Sequence, residues 1–577
     1  MSIPRPEHPK PQFERSDWIN LNGPWTCTFD FGVSGRERGL AESTGFERNI
    51  IVPFCPESVL SGIGHTDFIP AMWYHRKIDI PSTWNGKRTL IHFGGVDYEC
   101  EAFIDGKSAG IHYGGTVSFS FDITGLVKAG ASHSLVVAVR DDIRSGNQPA
   151  GKQSERFASY GCKYTRTTGI WQTVWLEAAG MKGLSRVRTI TDIDAGTVAF
   201  IPEYHAVRNG TMLKATILDG GQRVADAAVT CANGMPLTIS IPKAKLWSPE
   251  SPHLYDVIFE ILDGKTIVDS VKSYFGMRKV HVEGNEIFLN NKPVYLRFVL
   301  DQGFYPDGIW TAPGDDALRR DIELSLAAGF NGARLHQKVF EERFHYWADR
   351  LGYLTWGESS SWGIDYCKPD SMRNFLTEWS EIIQRDMNHP SIIAWTPLNE
   401  TRGNAGTPAH RRSHLEVYDL TRRIDPSRPV NEASGYAHVK TDLWTVHNYT
   451  QDGAKLAEQL APKTDTGVWR NFPEQEVPYS GQPYLVDEFG GIKWIADETK
   501  RFSEKSWGYG EAPKTLDEFY ARLDGQIDAL LSFGHIVGYC YTQLTDVEQE
   551  QNGIYNYDRT EKFDMKKIRA AFIREPK

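Results

Sequence analysis

The sequence predicts three folded regions in series: a β-sandwich, an immunoglobulin-like β-sandwich and a (β/α)8 barrel. The first half of the chain is rich in short runs that alternate apolar and polar residues between Gly, Asp and Asn. After about residue 278 the rhythm changes to strand-like segments that alternate with helix-like ones. The length of 577 residues fits about three to four domains of ordinary size.

Residues 1–182 form the first predicted region, a β-sandwich. The runs 87–93 and 100–104 have the composition of half-buried strands. Asp105-Gly106 directly after the second run is a hairpin signal, because Gly tolerates the positive φ that a tight turn requires. The polar stretch 145–159 has neither a strand nor a helix pattern, so we expect a loop there.

Residues 183–277 form the second predicted region. Its strand-like runs at 198–201, 213–218 and 254–261 are smaller and more regular than those before it. A length of roughly 95 residues and this spacing are typical of an immunoglobulin-like sandwich.

Residues 278–577 form the third predicted region. Leu318, Ile322 and Leu326 recur at helical spacing, ahead of a Gly that ends the helix. Short apolar runs lie between such helices, at 294–299, 332–335, 353–356, 392–398, 429–431, 443–446, 484–486 and 536–541. Eight strands over about 300 residues is the strand count of a (β/α)8 barrel.

The composition argues against several classes of protein. A net charge of −10 without basic clusters argues against a nucleic-acid partner. The sequence contains no run of about 18 apolar residues, so no membrane span is predicted. The polar, Pro-rich start shows no secretory leader. The seven cysteines are scattered without a CxxC pair, so neither a disulfide framework nor a zinc site is indicated. We therefore expect a cytoplasmic protein.

Polar or ionisable residues follow nearly every predicted barrel strand. In such barrels the C-terminal strand ends meet at one rim, where the chemistry takes place. The candidate rim residues are Asp301, Gln302, Arg334, His336, Glu358, Asn399, Glu400, His447, Tyr449, Asp487, Glu488, Gln543 and Asp546. One such residue means little, since strand ends commonly become polar, but this convergence predicts a site.

Two of these residues are carboxylates directly after apolar strand interiors. Glu400 follows the fourth strand and Glu488 the seventh, so the two face each other across the barrel mouth. Cleavage of a glycosidic bond needs such a pair: one acid protonates the leaving oxygen, and the other attacks the anomeric carbon or activates water. Their separation, which the sequence cannot give, decides between the two routes.

The whole chain resembles glycoside hydrolase family 2, which contains β-galactosidases, β-glucuronidases and β-mannosidases. The resemblance lies in the motifs LNGPW at 21–25, MWYHR at 72–76, LWSPE at 246–250, FGMR at 275–278, and in the strand ends at 399–400 and 486–490. It implies an N-terminal jelly-roll sugar-binding-like sandwich, an immunoglobulin-like sandwich and a (β/α)8 barrel.

The resemblance also implies roles for the strand-end residues. Glu400 becomes the general acid/base, Asn399 a donor to the sugar 2-hydroxyl, and Glu488 the nucleophile of a reaction that retains the anomeric configuration. The negative charge of Glu488 favours a protonated Glu400 in the first step. Once Glu488 is esterified, Glu400 ionises more easily and deprotonates the incoming water.

Other rim residues are candidate substrate contacts, each with a structural alternative. Arg334 matches the family's arginine after strand two, which the resemblance implies holds the nucleophile carboxylate in place. The alternative is a structural salt bridge. His336 contacts sugar hydroxyls, or lies in a surface loop; His447 and Tyr449 flank Glu488, with Tyr449 as its donor. Trp494 provides a sugar platform or packs in the core. The remaining candidates for substrate binding are Asp301 and Glu358.

The sequence departs from the family at three places. The first strand ends on Asp301-Gln302 instead of Asn-x-His, and the second on His336-Gln337-Lys338 instead of Ser-His-Tyr-Pro. The Asn-x-Lys signature by which β-glucuronidases read a uronic carboxylate is not evident near Gln551-Asn552, which disfavours a glucuronide. The magnesium ligands of some β-galactosidases are not found either, so we predict no required metal or other cofactor.

These observations predict a retaining, exo-acting hydrolase of terminal β-galactoside-like residues in a glycoside or oligosaccharide. β-Galactofuranosides or α-L-arabinopyranosides are alternative substrates that suit the altered rim. An endo-acting polysaccharide hydrolase and a non-catalytic carbohydrate-binding protein are further alternatives. We expect the loop 145–159 to reach over the barrel and close a pocket, which favours exo-action. Family members often form homo-oligomers, but no interface can be read from this sequence.

Overall fold

The computed structural model describes residues 3–207, 209–463 and 467–577. Within these ranges, no helix combines the length and apolar composition that crossing a membrane requires. The described chain contains two antiparallel β-sandwiches, a small antiparallel sheet and a curled parallel sheet with helices around it, so the predicted fold class is confirmed.

The first sandwich consists of a four-stranded sheet, a six-stranded sheet and a two-stranded ladder. Its strands are β1 (Trp18–Asn20), β2 (Gly23–Phe29), β3 (Arg48–Val52), β4 (Ala71–Asp79), β5 (Arg88–Phe93), β6 (Val96–Asp97), β7 (Glu99–Ile104), β8 (Lys107–Tyr113), β9 (Phe119–Asp122), β10 (Ser132–Arg140), β11 (Gly169–Ile170) and β12 (Val174–Ala179). The sheet orders are β1-β12-β5-β9, β3-β2-β4-β10-β7-β8 and β11-β6. Asp105-Gly106 joins β7 and β8 in the predicted hairpin, with both residues at positive φ.

The second sandwich packs a three-stranded sheet on a four-stranded one, in the orders β13-β14-β17 and β16-β15-β20-β21. Its strands are β13 (Leu184–Asp192), β14 (Thr197–Tyr204), β15 (Thr211–Asp219), β16 (Gln222–Thr230), β17 (Leu237–Ser240), β18 (Trp247–Ser248), β19 (Ser251–Pro252), β20 (Tyr255–Asp263) and β21 (Thr266–Phe275). Along β15, Leu213, Ala215 and Ile217 are buried at alternate positions, because successive side chains of a strand point to opposite faces.

A three-stranded antiparallel sheet leads into the barrel and consists of β22 (Val280–Glu283), β23 (Glu286–Leu289) and β24 (Lys292–Pro293). The predicted boundaries after residues 182 and 277 fall in the gaps between β12 and β13 and between β21 and β22. They stay a prediction as domain limits.

The barrel is built on a curled parallel sheet of seven strands, in the order β28-β27-β26-β25-β33-β32-β31. The barrel strands are β25 (Leu296–Asp301), β26 (Gly332–Leu335), β27 (Leu354–Glu358), β28 (Ile392–Thr396), β29 (Leu398–Asn399), β30 (Ala433–Ser434), β31 (Trp444–Asn448), β32 (Tyr484–Gly490) and β33 (Ile536–Thr542). Between β28 and β31, β30 fills the fifth position through its parallel pairing with β29.

The fifth strand differs from its prediction at 429–431. Only Val430 forms a bridge there, with Trp395 of β28, and the regular ladder resumes at β30. Pro397 separates β28 from β29 and has no N–H to donate, which interrupts the ladder at this point.

Helices surround the barrel and cover its outer face. They are α1 (Asp315–Ala328), α2 (Glu342–Leu351), α3 (Pro369–Asp386), α4 (Pro408–Ile424), α5 (Gly453–Leu460), α6 (Leu516–Leu531) and α7 (Met565–Phe572). Short 3-10 turns occur at Leu40–Glu42, Val59–Ser61, Ser82–Trp84 and Glu498–Lys500. Leu318 and Ile322 of the predicted helix face are buried in the core between α1 and the strands.

Candidate active site

The two predicted catalytic acids lie on rigid elements at the barrel mouth. All five residues of β28 are buried, and Glu400 follows directly after β29 with a φ of 51°. The N–H of Glu400 donates to the carbonyl oxygen of Ser434 at 3.0 Å, which ties this backbone to β30. Glu488 lies within β32, a strand whose seven residues are all buried.

A single imidazole nitrogen lies between the two acids. Nδ1 of His447 is 2.7 Å from Oε1 of Glu400 and 3.2 Å from Oε2 of Glu488. Within the described chain, ligating atoms of these three side chains lie within 4.8 Å of one another. Retaining glycosidases hold their carboxyl groups about 5–5.5 Å apart and inverting ones about 6.5–9.5 Å, so the close approach of these two carboxylates lies nearer to the retaining range.

The same three side chains have a spacing that a metal ion could use. However, Nδ1 of His447 is within hydrogen-bonding distance of both carboxylates, so a shared proton accounts for their closeness. His447 is buried, and burial alone lowers its pKa. The negative charges of Glu488 and Asp487 outweigh that effect and leave the pKa raised, which favours an imidazolium in this place.

Arg334 is the hub of the site and has no exposed side-chain surface. Its Nη2 donates to Oε1 of Glu488 at 2.7 Å and to Oδ1 of Asn399 at 3.0 Å. Its Nε donates to Oε2 of Glu358 at 2.7 Å. The guanidinium thus joins the ends of three strands, and it contacts the predicted nucleophile as the sequence-based assignment expects.

The environment of Glu488 favours its ionised form. Burial alone raises the pKa of a carboxyl group, but the positive charges of His447 and Arg334 outweigh burial, and the pKa of Glu488 is lowered. Tyr449 contributes through its hydroxyl, which donates to Oε2 of Glu488 at 2.5 Å. The ring of Tyr449 stacks on that of Tyr509 with centroids 3.5 Å apart, which fixes the donor.

Asn399 is oriented for a second partner. Its Oδ1 accepts from Arg334, and its buried Nδ2 has no hydrogen-bond partner in the described part of the chain. A buried amide donor without a partner is costly. A substrate hydroxyl next to the acids would satisfy it, in agreement with the role that the family resemblance implies.

His336 and Glu358 lie next to Arg334. Nδ1 of His336 is 3.0 Å from Oε1 of Glu358, and the backbone N–H of Gln337 donates to the same oxygen at 3.1 Å. Burial, helped by the charges of Lys152 and Arg334, lowers the pKa of His336 well below its usual value, so its ring is neutral. Glu358 has no exposed side-chain surface; we therefore assign it to positioning Arg334 instead of contacting substrate.

Asp301 and Trp494 are placed differently from their predictions. Val299 faces the helix layer, and Asp301, two residues later in β25, shares that face, where its charged neighbours are Asp321, Arg559 and Lys338. Trp494 packs against the core under α6, where its ring lies 6.5 Å from that of Phe519. We therefore assign both to structural roles instead of substrate contact.

A chain of hydrogen bonds that sequence reasoning missed connects the first sandwich to the barrel mouth. Nε2 of Gln302 donates to the hydroxyl of Tyr164 at 2.7 Å and to Oε1 of Gln543 at 2.5 Å. The Tyr164 hydroxyl donates to Oε2 of Glu550 at 2.5 Å. These residues come from three distant segments, so no local pattern links them.

The predicted loop 145–159 reaches the barrel. The N–H of Ala150 donates to the carbonyl of Trp362 at 2.7 Å, and that of Gly151 donates to the carbonyl of Ser360 at 3.0 Å. Gly151 has a φ of 56°, and a Cβ there would collide with the carbonyl oxygen of Gln337. Only glycine fits this close approach, which brings the next residue, Lys152, to the barrel mouth.

A barrel with a pair of close carboxylates at its mouth, preceded by two sandwiches, defines a glycoside hydrolase of multidomain type. Family models for the glycosyl hydrolases family 2 match in all three regions: the sugar binding domain over residues 62–175, a second domain over 203–278 and the TIM barrel domain over 280–492. The chain belongs to glycosyl hydrolases family 2.

Similar proteins carry two different names. A β-glucuronidase of Paenibacillus borealis is 23% identical and aligned over 82% of each chain. A β-galactosidase of Thermoanaerobacter pseudethanolicus is 26% identical over 63% of this chain, which spans 48% of that relative's length. A solved β-glucuronidase of Ruminococcus gnavus in complex with D-glucuronic acid has the same fold, with a TM-score of 0.81, 18% identity and 99% and 100% of the two chains covered.

Proposed function

We propose that the protein is a retaining, exo-acting β-glucuronidase that removes terminal glucuronic acid from glycosides. The observation that carries the mechanism is the contact of one His447 nitrogen with both Glu400 and Glu488, which sets the short spacing of the two acids. Relatives named β-glucuronidase support the choice of sugar.

The reaction takes two displacements. In the first, ionised Glu488 attacks the anomeric carbon, the bond from that carbon to the leaving oxygen breaks, and Glu400 gives its proton to this oxygen. In the second, Glu400 takes a proton from water, the water oxygen attacks the anomeric carbon, and the bond to Glu488 breaks. Both carboxyl groups then return to their starting states.

The surroundings of the pair suit these roles. The buried Glu488 has donors on both oxygens, Arg334 on one and Tyr449 on the other, which aligns it for attack. Glu400 is less enclosed, with 18% of its side chain exposed against 5% for Glu488. The acid/base therefore faces the side from which a leaving group departs and water enters.

Exo-action is supported by the loop 145–159. The loop docks on the barrel next to Trp362 and places Lys152 over the face of that ring, and we infer that it closes one side of the barrel mouth. The indole N–H of Trp362 donates to the carbonyl of Asn399 at 3.1 Å, so this wall is fixed to the catalytic strand end. A terminal residue fits such a site better than the middle of a polysaccharide.

The test is a panel of p-nitrophenyl glycosides that includes β-glucuronide, β-galactoside, β-galactofuranoside and α-L-arabinopyranoside. We expect the β-glucuronide to give the highest kcat/KM, and proton NMR of the early product to show the β anomer. Early formation of the α anomer contradicts retention, and release only from long oligosaccharides contradicts exo-action.

A β-galactosidase is the second candidate. It is favoured by the residues before Gly553, which read Glu550-Gln551-Asn552 without an Asn-x-Lys pattern; there Nδ2 of Asn552 donates to Oε1 of Glu550 at 3.2 Å. Relatives named β-galactosidase agree with it. A glucuronide, which the sequence disfavours, is preferred because of the relatives named β-glucuronidase and because the loop 145–159 brings the cation Lys152 to the barrel mouth.

A further inference from the structure

Lys152 is a buried cation without a direct partner at the barrel mouth. The residue is 6% exposed, and its Nζ makes neither a hydrogen bond nor an ion pair with the residues of 3–207, 209–463 and 467–577. Nζ faces the ring of Trp362, 4.9 Å from its centroid. The ammonium therefore has no direct anionic partner in the described residues, and a bound anion could supply one.

The position of Lys152 is fixed by its neighbours in the loop. Its carbonyl accepts the N–H of Tyr164 at 2.7 Å, and Gly151 is held against Ser360 and Trp362. Nζ of Lys163 donates to the carbonyl of Gly151 at 2.7 Å, so this second lysine is used to hold the loop. Lys152 is thus pre-organised for a ligand, while Lys163 already has a structural partner.

Lys152 lies in the field of the catalytic acids. Burial lowers its pKa, but the acidic groups around it, the Cys162 thiol and the carboxylates of Glu550, Glu488 and Glu400, outweigh burial and raise the pKa, which favours the ammonium form. Conversely, the charge of Lys152 helps to lower the pKa of His336, whose Nδ1 lies within hydrogen-bonding distance of Nη2 of Arg334. The ring of Trp362, which Nζ of Lys152 faces, also donates its indole N–H to the carbonyl of Asn399, so Lys152 lies on the side of the barrel mouth where Asn399 is.

The nearby protein carboxylates already have donors. Glu488 accepts from Arg334 and Tyr449, and Glu550 accepts from Tyr164 and Asn552. None of them lies within ion-pair distance of Nζ of Lys152 in the described structure. A negatively charged group on the bound sugar would therefore be the first direct partner of this ammonium.

We propose that Lys152, supplied by the first sandwich, is the specificity-determining residue that binds the carboxylate of a terminal uronic acid. The proposal rests on the proposed glycosidase function and names the group that selects its substrate. Lys152 takes the place of the lysine that the segment 550–552 of this chain lacks. A charge-assisted hydrogen bond between ammonium and carboxylate is stronger than one to a neutral hydroxyl, so it discriminates uronides from hexosides.

The test compares three variants. Lys152→Met removes the charge at similar length, Lys152→Arg keeps it, and Lys107→Met removes a lysine charge from the exposed strand β8 of the same sandwich. We expect Lys152→Met to lower the ratio of kcat/KM for p-nitrophenyl β-D-glucuronide over that for the β-D-glucoside about 100-fold. Lys152→Arg should restore most of this ratio, and Lys107→Met should leave it unchanged.

A loss of equal size on both substrates would overturn the proposal, because it would indicate a purely structural role. Calorimetric titration with free D-glucuronate gives a readout that does not depend on turnover: binding should weaken at least about 10-fold in Lys152→Met. If no glycoside is hydrolysed but glucuronate binding depends on Lys152, the proposed function fails and the assignment of Lys152 stands. Equal affinity of wild type and Lys152→Met for glucuronate overturns the assignment. So does a wild-type protein that binds D-galactose 6-sulfate but not glucuronate.

Discussion

Nη2 of Arg334 lies 2.7 Å from Oε1 of Glu488, and both side chains are buried at the barrel mouth. The guanidinium therefore acts on Glu488, the proposed nucleophile, in two ways: it fixes the direction of one oxygen and stabilises the negative charge. Because the positive charges of His447 and Arg334 outweigh burial, the pKa of Glu488 is held low.

Arg334→Met removes one of these two charges, so the pKa of Glu488 rises. The nucleophile must be ionised, and activity is lost as pH falls through that pKa; the acidic limb of kcat/KM should therefore move to higher pH. We also expect kcat to fall roughly 100- to 1000-fold from lost alignment and a charge left unpaired. A pH profile of the variant checks this, and an unchanged acidic limb would show that Arg334 does not set the ionisation.

Glu488→Ala removes the proposed nucleophile. We expect at least about a 10⁴-fold loss of kcat on p-nitrophenyl β-glucuronide, with the fold retained by circular dichroism. Azide fits into the space that the side chain leaves and attacks from the same face, so added azide should give an α-glycosyl azide, the inverted product. Azide rescue with a β product would instead assign Glu488 as the acid/base.

Glu400→Gln removes the proton that the proposed mechanism gives to the leaving group. The loss of kcat/KM should be large for phenyl glycosides, about 100- to 10⁴-fold, and much smaller for 2,4-dinitrophenyl glycosides, which leave without protonation. A plot of log kcat/KM against leaving-group pKa should thus be steeper than for the wild type. Equal slopes for the two enzymes would contradict the acid role of Glu400.

Tyr449→Phe removes one donor to Glu488 and keeps the ring that stacks on Tyr509. We expect kcat to fall about 10- to 100-fold, which corresponds to one hydrogen bond to a charged group. The apparent Tm should stay within a few degrees because the stacking survives. A large fall in Tm with unchanged kcat would mean that the hydroxyl serves the fold instead of catalysis.

Stability at alkaline pH should depend on His438, a buried residue behind the site. Its Nδ1 is 3.0 Å from Oε2 of Glu432; burial lowers its pKa, but the charge of Glu432 outweighs burial and raises it to about 9. A raised pKa stabilises the fold fully below the ordinary histidine pKa of about 6.5, and this stabilisation is lost as pH rises through 9. The apparent Tm should therefore drop between pH 7 and pH 10, and His438→Gln should be less stable at pH 7 with a smaller drop.

Local patterns were enough to predict the strands that carry the acids. The apolar run before Glu400 and the one before Glu488 are continuous, as expected of strands buried on both faces, and their ends converge by the geometry of the barrel. Asp301 shows the limit of that reasoning. It lies at a strand end as predicted, but successive side chains of a strand point to opposite faces, and the position of Asp301 in β25 directs its side chain to the helix layer. A strand end alone therefore does not predict which face its last side chain occupies.

The contacts of Lys152 and Tyr164 had no local signal. Both depend on how the first sandwich docks on a barrel segment about 200 residues later, through Gly151 and the backbone of Ser360 and Trp362. Such docking depends on the shapes of two surfaces that exist only after the sandwich and the barrel have folded. The loop itself was predicted from its lack of pattern, but the residue that it delivers to the site was not.

The docked loop has a consequence for how this enzyme can change. The proposed catalytic acids, Glu400 and Glu488, and the proposed carboxylate-binding residue, Lys152, lie in separate regions of the sequence. They come together only when the first sandwich docks on the barrel. If Lys152 binds the sugar as proposed, exchange of the segment around Gly151 between related proteins would alter which sugars are accepted while the barrel strands stay unchanged. Substrate preference can then change through substitutions in this loop of the first sandwich, while Glu400 and Glu488 on the barrel strands stay the same.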